Sequence, residues 1–213
     1  MSKILQQLHD TVFDGRIKEV AGLTTQALQE GLAARVILEQ GLIPAMGVVG
    51  AEFKKGRKFV PEMMLSARTM HAALDILRPA LIQAGEPMVG KVVIGTVKGD
   101  LHSVGKNLVA MMLEGSGFEV IDLGIDVGPD KFLAAVEKEQ PEIVAMSALL
   151  TTTMRAMGQT IETLDKAGCR DKVKVMVGGA PLTVEFATQI GADAFAANAP
   201  SATEIARKFV ARA

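Results

Sequence analysis

Asp100 and His102 stand two residues apart in the stretch GDLHSVGKNLV, residues 99–109, which follows the apolar run KVVIGTV after Lys98. A carboxylate at that spacing can accept the proton of one imidazole nitrogen, which sets the tautomer and leaves the other nitrogen free to donate to a metal. Three alternatives compete. A loop that opens a helix can cradle a phosphate on its free N–H groups. A Walker loop, however, needs four residues between its first glycine and the Gly-Lys pair, then Ser or Thr; here five separate Gly99 from Gly105, and Asn107 follows Lys106. A phosphoacceptor receiver places aspartates at strand ends, and Asp100 and Asp122 could be read that way. It also needs an acidic pair for magnesium, and glycines and a histidine stand in its place. In the third alternative Asp100 caps a helix and His102 faces solvent, which D-x-H alone fits better than it fits a ligand. A zinc site made by the protein is disfavoured, because Cys169, His9 and His71 have no metal-site spacing to His102. One protein ligand suffices only where a macrocycle supplies the rest.

The elements that must hold this pair differ on its two sides. Residues 1–85 read as helices throughout. Ile4, Leu8 and Val12 recur at i, i+4 and i+8, and Ile17, Val20, Ala21, Thr24 and Leu28 repeat the stripe after the Asp14-Gly15 break. A third apolar helical region covers residues 33–53, with Pro44 as a kink or boundary. A fourth helix opens at Pro61 and carries Met63, Ala67, Met70, Leu74 and Leu77 on one face. The expected unit is a helical bundle. After AGEPMVG, residues 84–90, the period changes, and residues 86–213 form the second expected domain. KVVIGTV, FEVIDLG, EIVAMSAL, KVKVMVGG and ADAFAA are short apolar runs, each followed by a helical stretch. Such alternation predicts an α/β domain with a parallel sheet covered on both faces, in the flavodoxin-like order 2-1-3-4-5. Ligands of that fold sit beyond the carboxyl ends of the strands. Asp100 and His102, residues 147–153, and Gly178-Gly179 all fall there.

Composition narrows the partners. The chain has 213 residues and a formal net charge of −1, with neither Trp nor Tyr. Nucleic-acid readers use basic stripes and stacking aromatics, so nucleic acid is not expected as a partner. Apolar runs in the sequence break well before the roughly 18 residues of a membrane span. No basic-then-apolar leader opens the chain, and Cys169 is the only cysteine, which points to the cytoplasm and away from a disulfide framework.

DLHSVG, then SALLTTT, then GG at the end of the next strand form, in order, D-x-H-x-x-G, S-x-L and G-G. With these three motifs the chain resembles the cobalamin-binding domain. With the helical stretch ahead of it, including FVPEMMLSARTM, it resembles the small corrinoid proteins of methyltransferase systems, over essentially its whole length. The resemblance implies that cobalamin binds with its benzimidazole detached and His102 on the cobalt. It implies that Asp100 hydrogen-bonds His102, and that Gly105 lets the nucleotide tail pass close to the helix, with Ser103 and Val104 in the same loop. Ser147, Leu149 and Thr151 would line the tail slot. Gly178 and Gly179 would leave it space, although a strand-to-helix turn accounts for two glycines by itself. A serine hydroxyl often joins the Asp-His pair in this family, and Thr153 stands at that position. The bundle would cap the corrin, with Met63 and Met64 as candidate cap residues, and AGEPMVG would serve as its hinge. Met64 and His71 share one stripe of the fourth helix, and Met63, Met70 and Leu74 the next. Ordinary core packing accounts equally well for the methionines.

The function implied is that of a methyl carrier, inactive alone, between a substrate-specific methyltransferase and a second one acting on tetrahydrofolate or a similar acceptor. A reductive activator protein is a further expected partner. A corrinoid-sensing regulator is the alternative; it would need an output segment, and none is expected after the last helix, near Ala213.

Overall fold

The computed structural model describes residues 2–84 and 88–211. The expected boundary between residues 85 and 86, and with it the middle of the AGEPMVG hinge, lies outside them. The described chain forms two compact units. One contains the residues up to Met88 together with Glu114–Gly117, and the other contains Val89–Leu113 and the residues from Phe118 onward.

The first unit is helical. Helix α1 (Lys3–Asp14) buries Ile4, Leu8 and Val12, the expected stripe, together with Leu5 and Thr11. Gly15 stops it at φ +71, and the amides of Gly15 and Arg16 return to the carbonyls of Val12 and Thr11. That left-handed cap is natural for glycine. A side chain at Gly15 would also meet Leu65 Cγ at 2.6 Å. Helix α2 (Ile17–Gln29) buries Val20, Thr24 and Ala27. Ile17 and Ala21, expected in the stripe, are exposed instead. The inward face follows i, i+4, i+7 from Val20, and Ile17 occupies the first turn, just after the Gly15 break.

The third apolar region is three pieces: α3 (Ala34–Val36), a π-helical segment (Ile37–Leu42) and α4 (Ile43–Lys54). The change of pitch falls just before Pro44, the expected boundary. Taken together, Ala34–Lys54 is long and apolar enough to cross a membrane by length and composition. Ile37, Leu42, Ala45, Met46 and Val49 are nevertheless buried within the protein. Helix α5 (Val60–Gln83) opens with Pro61 in its first turn and Glu62 accepting from the amide of Phe59 at 2.9 Å. Its buried face is Met63, Ala67, Met70, Leu74 and Leu77.

The second unit is a five-stranded, all-parallel sheet in the order β2-β1-β3-β4-β5. The strands are β1 (Lys91–Thr96), β2 (Glu119–Asp122), β3 (Ile143–Ser147), β4 (Lys174–Gly178) and β5 (Ala194–Ala196). Between and after them come α6 (Val104–Glu114), α7 (Pro129–Glu139), α8 (Arg155–Lys166), α9 (Val184–Gln189) and α10 (Ala199–Val210). Successive residues of a strand point to opposite faces. Val92 and Ile94 of β1 therefore join Ile143, Ala145 and Met176 in one core with Leu113, Phe118 and Ala206. Val93 joins Val144, Met146 and Val175 in the other, with Phe132, Met157 and Leu164. Both faces of the sheet are covered, which is why its strands read as continuous apolar runs. Gly95 allows Phe132 to sit against β1, since a Cβ there would come within 2.8 Å of its ring.

The register places Thr96 opposite Ser147, Ser147 opposite Gly178 and Gly178 opposite Ala196. The carboxyl ends of four strands thus share one row. The loops that leave this row carry the candidate residues.

Candidate functional site

Strand β1 ends at Thr96, and seven residues separate it from α6. Val97 continues the row briefly, its amide donating to the carbonyl of Ser147 at 3.0 Å. Gly99, at φ +84, then turns the chain so that Asp100 points inward and His102 outward. Asp100 is wholly buried, and the His102 side chain is 52% exposed. The hydroxyl of Thr96 donates to the carbonyl of His102 at 2.9 Å, which ties the far side of the loop back to the strand.

The Asp100 carboxylate is the centre of the site. Its Oδ1 accepts from the backbone N–H of His102 at 3.0 Å and lies 2.7 Å from His102 Nδ1. Its Oδ2 accepts from the amides of Leu149 at 2.7 Å and Leu150 at 3.2 Å, and from the hydroxyl of Thr153 at 2.8 Å. Burial alone would push this carboxyl up. The N–H groups of Leu149 and His102, with the imidazole and the Thr153 hydroxyl, outweigh burial and hold it well below the usual carboxylate range.

An anionic Asp100 has a direct consequence for its neighbour. A carboxylate can only accept, so the hydrogen between it and the ring belongs to Nδ1. In the neutral ring Nε2 then carries the lone pair, on the exposed edge. The two loops that meet at Asp100 expose apolar groups: Leu101 is 68% exposed, Val104 70%, and Leu149 and Leu150 43% each. Polar loops seldom present four such side chains together. A large apolar ligand with a place for one nitrogen donor suits this surface.

The donor set supports the same conclusion. Among the described residues no group of three His, Cys, Asp or Glu side chains could hold a metal ion. Cys169 is buried, and His9 and His71 belong to the helical unit. A metal at His102 would therefore have to bring its other ligands with it, as a corrin does. The residues present fit that group.

Ser103 is half-buried and its carbonyl accepts from Asn107 at 2.8 Å in the first turn of α6. Gly105 is exposed, and a Cβ there would meet nothing within 4 Å, so its bareness answers no need of the protein's own packing. Ser147 ends β3 in the shared row, and Thr151 is exposed in the turn between Leu149 and Thr153. The two glycines have reasons inside the chain. A Cβ on Gly179, at φ +143, would fall 1.8 Å from the carbonyl oxygen of Ala148, and one on Gly178 would fall 3.0 Å from that of Ala196. The structure thus brings Asp100, His102, Leu149 and Thr153 into direct contact, with Ser147 and Gly178 in the row beneath. Met63 and Met64 lie on α5 in the helical unit. Met63 has no exposed surface, and Met64 is half-buried.

Several participants carry no signal in the sequence. The amide of Leu150 is a backbone donor, visible only once the turn is folded. Asp122, weighed above as a phosphoacceptor, instead ion-pairs with the buried Lys106 at the start of α6. Asp126 accepts from the amide of Gly99 at 2.7 Å. A second acidic residue after β2, near a glycine, was the one available hint.

Comparison with known proteins gives a consistent result. A family model described as a B12 binding domain matches residues 90–206, and a second of the same description matches residues 4–78. The chain is 38% identical over 212 residues to a corrinoid protein of Desulfitobacterium hafniense (strain Y51), with 98% of each covered. It is 39% identical over 214 residues to the dimethylamine corrinoid protein of Methanosarcina barkeri, covering 99% of this chain and 100% of that one. Among solved structures it is similar to the methanol:cobalamin methyltransferase complex of Methanosarcina barkeri. The TM-score is 0.88 at 29% identity, over 100% of this chain and 81% of that one.

Proposed function

Because this chain belongs to the family of cobalamin-binding corrinoid proteins of methyltransferase systems, we propose that it is a methyl carrier that holds its cobalamin through His102, with the cofactor's own base detached. One observation carries this reading: the buried carboxylate of Asp100 lies 2.7 Å from His102 Nδ1 and so keeps the proton there, which leaves Nε2 to donate from a half-exposed ring in loops that also expose Leu101, Val104, Leu149 and Leu150. Bound there, cobalamin supplies a cobalt centre that takes up a methyl group and gives it up again.

The chain's own share is to hold, orient and release. His102 Nε2 would hold the metal, and Asp100 keeps the ring from turning or changing tautomer. Leu101, Val104 and Leu149 give the macrocycle an apolar seat, and Ser103 lies in the same loop. Gly105, Ser147, Thr151, Gly178 and Gly179 would line the path of the nucleotide tail. Thr153 steadies Asp100 from the opposite side. Because Asp100 is held anionic and keeps the proton on Nδ1, Nε2 is the ring atom that would be available to hold the metal. On α5, Met64 retains surface to offer the corrin, and Met63 does not. A substrate-specific methyltransferase would load the methyl group, and a second one would pass it to tetrahydrofolate or a related acceptor. A reductive activator would restore the carrier, and all would meet in the cytoplasm.

The test loads the full chain with cobalamin, reduces it, and offers carbon-14-methyl donors with partner methyltransferases for methylamines, methanol, methoxylated aromatics or betaines. Label should move to the protein-bound cofactor with one partner class and leave it when a second methyltransferase and its acceptor are added. A chain that binds cobalamin but acquires no label from any donor would not be a carrier.

A further inference from the structure

The loop holding Asp100 and His102 is itself gripped by another loop, the one from β2 to α7. Asp126 is the central residue of that grip. Its backbone lies at φ +52, in the left-handed region that favours glycine. From there Oδ1 accepts from the amide of Gly99 at 2.7 Å, and its own N–H donates to the carbonyl of Asp100 at 3.1 Å. On either side the two loops are laced by further bonds. The amide of Thr96 donates to the carbonyl of Gly124 at 3.0 Å, and that of Val127 to the carbonyl of Thr96 at 2.9 Å. Lys106, buried just beyond the loop, reaches Asn107 Oδ1 at 2.7 Å and the carboxylate of Asp122.

Two separate frames therefore act on one residue. The side chain of Asp100 is held by residues 149–153, and its backbone by Asp126. A glycine at 126 would adopt φ +52 at ease but would leave the amide of Gly99 without its acceptor. Aspartate is among the few residues other than glycine that visit this conformation.

We infer that Asp126 is a positioning residue for His102: by fixing the backbone at Gly99 and Asp100 it sets the path from which Nε2 meets the metal. The inference rests on the reading of His102 as the lower ligand of cobalt. Without the Asp126 carboxylate the Asp100 side chain stays pinned while the backbone around it moves, so the ring loses its fixed angle to Asp100 Oδ1. Asparagine can restore both the acceptor and the left-handed backbone.

The experiment compares the parent with Asp126→Gly and Asp126→Asn, each confirmed folded by its thermal melt. In the cofactor-free chain, nitrogen-15 resonances of the His102 ring report the ratio of the Nδ1–H to the Nε2–H tautomer. In the cobalamin-loaded chain, electron paramagnetic resonance of the cob(II) state reports the ratio of protein-ligated to unligated cobalt. Loss of a hydrogen bond to a charged group should lower both ratios about tenfold in Asp126→Gly, while Asp126→Asn stays within about twofold of the parent. Equal ratios in the parent and the glycine variant, or an asparagine variant no better than glycine, would overturn the inference. A parent with no protein nitrogen on cobalt would instead overturn the reading beneath it, and the role of Asp126 toward the metal with it.

Discussion

The hydroxyl of Thr153 lies 2.8 Å from Asp100 Oδ2 and 2.8 Å from the carbonyl oxygen of Leu150, and with one proton it can donate to only one of them at a time. Donation to the carboxylate is the stronger bond, because the acceptor is charged and buried. Thr153→Ser keeps that donor and should leave stability and cobalt ligation near those of the parent. Thr153→Val removes it and should lower the unfolding free energy by roughly 1.5–3 kcal/mol, the range for a hydrogen bond to a charged group, read as a shift in the urea midpoint. A valine variant as stable as the serine one would mean that Asp100 does not need the hydroxyl.

Asp100 makes stability depend on acid. Its carboxyl titrates lower in the folded chain than the ordinary value near 3.9 of an unfolded one. Its contribution is therefore complete above about pH 4 and drains away as the pH falls below that value toward the folded pKa. Asp100→Asn should cost at least about 2 kcal/mol at pH 7, since donors that faced a carboxylate then face an amide. The gap between the two proteins should narrow on acidification. Urea unfolding at stepped pH checks this; a gap that stays constant down to pH 3 would show that Asp100 is not held low.

Gly105 and Gly179 should respond to alanine in opposite ways. Gly105 is exposed in the first turn of α6 with open space around its absent Cβ. Gly105→Ala should therefore stabilise the cofactor-free chain by up to about 1 kcal/mol, the usual gain over glycine in a helix. If the nucleotide tail passes there, the same change weakens cobalamin binding. Gly179→Ala would drive a side chain into the Ala148 carbonyl and should damage the fold before any ligand is added. Melting curves of the cofactor-free variants, with cobalamin titrations of those that fold, separate the two cases.

The Lys106–Asp122 pair is asymmetric, with Lys106 2% exposed and Asp122 40%. Lys106→Met leaves a carboxylate that can turn to water and should cost less than about 1 kcal/mol. Asp122→Ala strands a buried ammonium on Asn107 alone and should cost about 3 kcal/mol. Chemical denaturation of both variants decides it, and equal losses would mean that Lys106 reaches water after all.

These contrasts also mark what the sequence could and could not reveal. The sheet was legible because parallel strands buried on both faces leave runs such as KVVIGTV that no surface element imitates. The contact between Asp100 and His102 was legible from their spacing, and that of Thr153 with Asp100 only through the resemblance to the corrinoid family, where a serine often stands at that position. The hold of Leu149 and Leu150 on Asp100 was not, since each acts through its backbone N–H and any residue carries one; Leu149 was expected only beside the nucleotide tail, as part of S-x-L. Asp126 was hidden for a related reason: its role depends on a left-handed backbone that appears only once β2 and its loop are in place. In the helical unit the stripe of α1 was plain. That of α2 was misjudged at Ile17 and Ala21, because periodicity alone does not say which of two adjacent apolar stripes turns inward.

The central claim is that His102, and not the cofactor's own base, binds cobalt. It is tested most directly by electron paramagnetic resonance of the cob(II) form of the full chain grown with nitrogen-15 histidine. The account predicts axial hyperfine splitting from a single nitrogen-15, present in the parent and absent in His102→Ala. Splitting from a nitrogen-14 axial donor in the labelled parent, the signature of the cofactor's benzimidazole, would contradict it.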